Sequence, residues 1–260
     1  MAAETQYTAN TGCATISTAN TNLDGTGTLG TVLTAASNGT LIKSVTIKAQ
    51  VSTTAGMVRL FVSGGGATEL IAEIEVPAVT KSATDPSFEN YMEINYALKS
   101  GYILKASTVN AEAMNVIAEG LDWAYYTTSV RPESTKYTAN TGLGQVSTAN
   151  ANLDGSGTLG TVLTAAANGT NIQTVTMKAI VNTTSGMVRL FIYNGTTNFL
   201  LAEIPVTAVT KSSVAHSFST RVLFNGNDFA LKASYLLKAS TEKGETINVI
   251  AEGLDWAYPA

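Results

Sequence analysis

The chain has 260 residues, of which 45% are apolar and only 13% charged, with a formal net charge of −4. That length fits one large domain or two ordinary ones, and the apolar content excludes a solvated, disordered chain. Fifteen basic against 19 acidic residues, with no basic run, exclude the tracking of a phosphate backbone, so nucleic acid is not an expected partner. No apolar stretch approaches the roughly 18 residues that span a bilayer. Met1 to Thr5 has neither a basic nor an apolar signal region, so the expectation is a chain made in the cytosol that stays soluble, with no membrane partner.

In chain order, apolar residues recur with a period of two rather than 3.6, which predicts strands. The first falls at 28–35 and ends in the turn Ser37-Asn-Gly39. In the next, Val45, Ile47, Ala49 and Val51 point one way and Thr46, Lys48 and Gln50 the other. After Thr53-Thr-Ala-Gly56, Val58, Leu60 and Val62 alternate with Met57, Arg59 and Phe61, followed by the turn Ser63-Gly-Gly-Gly66. Strands at 69–76, 87–95, 102–107 and 114–121 follow, with Lys99-Ser-Gly101 as a further turn. Connections this short allow antiparallel neighbours and leave no room for helical crossovers. The expected fold class is all-β, an antiparallel β-sandwich or jelly roll of seven or eight strands.

The pattern then repeats. Tyr7-Thr-Ala-Asn-Thr-Gly12 returns as Tyr137 to Gly142, and Gly56-Met-Val-Arg-Leu-Phe61 as Gly186 to Phe191, both 130 residues on. Asn115-Val-Ile-Ala-Glu-Gly-Leu-Asp-Trp-Ala-Tyr125 returns as Asn248 to Tyr258, 133 residues on, so three residues are gained between Phe218 and Tyr235. A period near 130 is too long for a solenoid unit and large enough for a domain with its own core. Two tandem sandwiches are expected, 1–126 and 137–260, joined by a linker at 127–136 that contains Pro132.

A catalytic group shared by two copies must occur twice, and the repeat makes that test available. His216 is the only histidine and stands opposite Pro86; Cys13 is the only cysteine and stands opposite Leu143. A zinc site or a Cys/His dyad within one chain is therefore excluded, Cys13 reads as a small packing residue, and His216 as a loop residue. The carboxylates present in both copies are Asp24 and Asp154, Glu73 and Glu203, Glu112 and Glu245, Glu119 and Glu252, and Asp122 and Asp255. Asp24 in Leu-Asp-Gly reads as a turn cap, Glu73 as facing water, and Arg59 and Arg189 as structural partners of one of these acids. The Asn22-Leu-Asp-Gly-Thr-Gly27 turn offers oxygen atoms but not the carboxylate density of a calcium loop. No cofactor, no metal and no enzymatic activity are expected. The candidate partner contacts are Trp123 and Trp256, with Tyr125 and Tyr258 beside them, which suit either a sugar or protein partner or packing at the ends of the sandwiches and between the copies.

Gly-Thr-Leu-Gly-Thr-Val-Leu-Thr-Ala (27–35), Thr-Thr-Ala-Gly-Met-Val-Arg-Leu-Phe (53–61), Ala-Glu-Ile-Glu-Val-Pro-Ala-Val-Thr (72–80) and Leu-Lys-Ala-Ser-Thr (104–108) resemble a family of small phage and prophage virion structural proteins, as do 200–210 and 239–251 in the second copy. The resemblance covers most of both copies and rests on strand and turn patterns. It implies a head decoration or cement protein in the virion, bound to the major capsid protein or other virion proteins, with a homotrimer as one form of assembly. The alternative is a receptor- or glycan-binding module of a tail or head fibre.

Overall fold

The computed structural model describes residues 5–125, 136–211, 216–224 and 229–257. The predicted linker lies outside the described residues except for Lys136. The elements are all strands. The first half contains β1 (Thr5–Ile16), β2 (Gly30–Thr34), β3 (Thr40–Ala49), β4 (Gly56–Gly64), β5 (Ala67–Val76), β6 (Glu89–Leu98), β7 (Ile103–Thr108) and β8 (Met114–Tyr125). The second contains β9 (Lys136–Val146), β10 (Gly160–Thr164), β11 (Thr170–Ala179), β12 (Gly186–Tyr193), β13 (Asn198–Val206), β14 (Ser219–Leu223), β15 (Phe229–Leu231), β16 (Leu236–Thr241) and β17 (Ile247–Ala257).

In the first half these strands form two four-stranded antiparallel sheets, ordered β1-β8-β3-β6 and β2-β7-β4-β5. Chain neighbours sit in opposite sheets except for β4 and β5, and this interleaving is the jelly roll. The second half repeats it as β9-β17-β11-β14 and β10-β16-β12-β13, with β15 completing the edge that β14 begins. The all-β sandwich expected from the alternation is the fold observed.

Alternation also explains each core. Val45 and Ile47 of β3, Val58 and Leu60 of β4, and Val116 and Ala118 of β8 point between the sheets and are fully buried. Val51, expected to join them, is exposed, because β3 ends at Ala49 and the chain has already turned. Phe61, on the opposite face from Leu60, is nevertheless fully buried. Its counterpart Phe191 packs with Leu153, Leu159 and Leu200 under the loop that precedes β10.

The strand that sequence reading missed is β1, whose run Tyr-Thr-Ala-Asn-Thr-Gly-Cys looks polar. Gly12 lets it cross close over β2: a Cβ there would lie 2.2 Å from the Val32 carbonyl oxygen. The predicted strand 87–95 runs through as β6 in the first half, whereas the second half divides it into β14 and β15. The three extra residues therefore fall between Leu223 and Phe229.

Candidate functional site

The outward face of the β1-β8-β3-β6 sheet is set by register. Rows run across the strands: Ala9 beside Leu121, Thr11 beside Glu119 and Ser44, Cys13 beside Ile117 and Thr46, Thr15 beside Asn115 and Lys48. An outer sheet face normally meets water. This one meets the second sandwich, on the edge formed by β13 and β15. Ile117 belongs to the second sandwich's core, and Cys13 packs against that core.

The polar groups of this junction are paired. Lys48 is completely buried; its Nζ donates to the Ser87 carbonyl at 3.0 Å and lies 3.3 Å from Glu89 and 3.4 Å from Glu203 of the second sandwich. Glu203 receives partners from both sides. Its Oε1 accepts from Arg189 Nε at 3.0 Å, and its Oε2 accepts from the Ser87 N–H at 2.9 Å and the Ser87 hydroxyl at 2.7 Å. Arg189 also reaches Glu242 at 3.3 Å. Burial, the largest single influence on Glu203, pushes its pKa up. The two Ser87 hydrogen bonds, with the charges of Lys48 and Arg189, outweigh it and hold the carboxyl below its ordinary value.

A second cluster clamps the edge strand. Ala230 of β15 pairs with Asn171 of β11 on one side. On the other, its N–H donates to Glu119 Oε1 at 2.9 Å and its carbonyl accepts from the Thr11 hydroxyl, while the Lys232 N–H donates to that same hydroxyl at 3.0 Å. Ser44 donates to the other Glu119 oxygen at 3.0 Å, and Asn115 donates to the Leu200 carbonyl at 3.2 Å. An edge strand presents backbone groups that must find partners, and here side chains of a neighbouring sheet face supply them.

Trp256 is buried in a small apolar cluster with Ala230 of its own sandwich and Ala9 of the first, against which Leu121 packs. Trp123 occupies the equivalent place in the first sandwich, against Gly39, and keeps part of its surface in solvent. Tyr125 ends β8, opposite Thr5; Tyr258 lies outside the described residues. Of the four expected contacts, Trp256 thus lies inside the molecule, between the sandwiches. Burial pushes the Cys13 thiol up to about 12, a little offset by the nearby charge of Lys232.

The remaining repeated carboxylates hold hydrogen-bond or ion-pair partners within their own sandwiches. Asp24 accepts from the Thr26 N–H at 3.0 Å and its hydroxyl at 2.6 Å, bonds that hold its carboxyl below the usual range; Asp154 does the same with Ser156. Glu112 and Glu245 accept from the N–H and hydroxyl groups of Thr54 and Thr184. Asp122 and Asp255 accept from Asn10 and Asn140 at 2.8 Å. Arg59 meets Glu73 at 2.8 Å, as the repeated residues suggested. His216 is exposed. Among the described residues no three His, Cys, Asp or Glu side chains gather as a metal site. A cavity of about 150 Å³ lies in the junction, lined by Thr46, Tyr91 and Glu119 on one side and Leu201, Val222 and Phe229 on the other. It is well below the roughly 300–1,000 Å³ of pockets that enclose drug-sized ligands.

No family model matches the chain, and no curated protein matches it. Among solved structures, the chain is similar to the major capsid protein P2 of bacteriophage PM2, at 10% identity over 95% of this chain and 98% of that one, with a TM-score of 0.27. The tandem CBM22-1-CBM22-2 domains of Paenibacillus barcinonensis Xyn10C align at 12% identity over 98% and 93%, with a TM-score of 0.26. The PBSX exported protein XepA aligns at 12% over 92% and 89%, with a TM-score of 0.22. Scores this low carry no argument about what the chain does.

Proposed function

We propose that the chain is a non-enzymatic structural protein of a phage virion, a decoration or cement protein bound to the outer surface of the head. The observation that carries this reading is the junction. Two jelly rolls, of eight and nine strands, are held as one block by a buried, hydrogen-bonded interface centred on Lys48, Glu203 and Ser87. A rigid block with two nearly equivalent modules suits a protein that must bridge two similar but non-identical positions on a shell. The jelly roll itself serves both capsid and lectin domains, so the fold alone does not choose between them. The resemblance of the strand and turn segments to phage structural proteins favours the first. The glycan-binding alternative draws on loops and on the terminal Trp and Tyr residues, and of these Trp256 is buried between the sandwiches.

The test is stoichiometry. In particles purified from the source by density gradient, quantitative mass spectrometry should find this chain at an abundance comparable to the shell protein. A handful of copies per particle would move it to a tail or fibre, and absence from particles would overturn the proposal.

A further inference from the structure

The internal junction is heterologous: a sheet face of the first sandwich docks on an edge of the second. Because the sandwiches repeat, the molecule carries each surface twice and covers only one of each. The second sandwich still presents the sheet face, and the first still presents the edge.

The uncovered surfaces keep the hydrogen-bonding residues of the junction, while Phe199, Tyr91 and Cys13 are replaced there by Glu69, Arg221 and Leu143. On the free face, Thr141, Glu252 and Lys178 stand where Thr11, Glu119 and Lys48 stand in the covered one, with Thr174 bonded to Glu252 at 3.0 Å as Ser44 is to Glu119. On the free edge, Glu73 stands for Glu203 and Ala97 for Ala230. Ala97 pairs with Leu41 of β3 in the register that Ala230 keeps with Asn171. Each hydrogen-bonding pair of the covered junction thus has its two members on the uncovered surfaces, and Glu252, whose Oε2 Arg221 holds at 2.9 Å, keeps Oε1 for the Ala97 N–H.

Their exposure follows the same division. Thr11 is 1% exposed, whereas Thr141 and Ala139 lie open to solvent, and Ala97 is exposed where Ala230 is buried. Leu143, in the place of Cys13, is 75% exposed, a large apolar side chain in the middle of the free face. Trp123 keeps at the free edge the surface that Trp256 loses to Ala9.

We infer that the chain associates with a second copy of itself head to tail, the β9-β17-β11 face of one molecule docking on the β5–β6 edge of the next and repeating the internal junction. A heterologous contact of this kind generates rings if its rotation closes and filaments if it does not. The inference does not depend on a place in the virion.

Sedimentation velocity of the purified full chain over a wide concentration range tests it. Species larger than a monomer should appear and grow with concentration. Leu143→Arg and Ala97→Arg, both at exposed positions, should each leave the melting temperature unchanged and weaken association at least about 100-fold. The first brings a cation against Lys99, which stands where Lys232 stands beside Cys13, and the second forces a long charged side chain into the place where Ala230 is 2% exposed. Mixing the two variants, each with one intact end, should restore dimers and nothing larger. A wild-type chain that stays monomeric at all concentrations, or an assembly that survives both substitutions, would overturn the inference.

Discussion

Glu203 and Glu73 occupy the same position on β13 and β5, each opposite an arginine on the neighbouring strand, Arg189 and Arg59. Their surroundings differ completely. Glu203 has a side chain 2% exposed and bridges two sandwiches, whereas Glu73 is 42% exposed and meets Arg59 at 2.8 Å. The strands differ beside them, Glu69 and Glu75 flanking Glu73 where Phe199 and Pro205 flank Glu203, and only the second strand has another module docked on it. The lesson is that one strand-and-turn pattern supplies a surface that leaves its charge in solvent when open and pairs it when closed.

The largest expected effect tests that difference directly. Glu203→Ala removes a carboxylate that Lys48, Arg189 and Ser87 all use, and breaking a buried pair from one side costs roughly 3–5 kcal/mol. Glu73→Ala removes a largely solvated partner of Arg59 and should cost about 1 kcal/mol or less after screening. Urea unfolding of the two variants measures the contrast. Equal losses would mean that the junction contributes nothing beyond the ordinary arginine pair.

How much of this was legible beforehand follows from what each residue faces. The alternation of Val45, Ile47, Ala49 and of Val58, Leu60, Val62 predicted strands because one side of each meets a core whatever the neighbours do. β1 escaped because its outward residues Ala9, Thr11 and Cys13 face another sandwich through small and polar groups, which removes the contrast that periodicity depends on. One signal of the junction was present: the run Val116-Ile117-Ala118 is apolar on both faces of β8, as a strand buried twice would be. The same run recurs at Val249-Ile250-Ala251, where Ile250 is only half-buried, so the run alone does not say which copy is covered. The gain of three residues before Phe229 is the only local change in length, and it falls beside the edge strand that docks.

A smaller effect is expected in acid. The Glu203 pKa is lowered in the folded protein, so its contribution is fully present above its ordinary value of 4.5 and is lost as pH falls through the lowered one. The thermal stability of the wild type should therefore fall on acidification in that range. Glu203→Gln should be less stable at neutral pH and lose less on acidification, because that titration has been removed. A Glu203→Gln curve parallel to wild type would place the acid sensitivity elsewhere.

The last comparison changes stability least and reads the two faces by chemistry. Cys13 sits on the covered face with its thiol raised from 9.0 to about 12, so at pH 8 its reactive thiolate is roughly a thousandfold scarcer than that of a free cysteine. Leu143→Cys places a thiol at the same position of the open face, where the leucine is 75% exposed. In dilute solution, an aromatic disulfide reagent should label position 143 quickly and leave Cys13 untouched until denaturant is added. Rapid labelling of Cys13 in the folded chain would mean that the sandwiches separate on the timescale of the reaction. A block that opens so readily could not act as a rigid bracket. Protection of Cys13 beside a freely reacting residue 143 is what one closed junction and one open copy of its sheet face require.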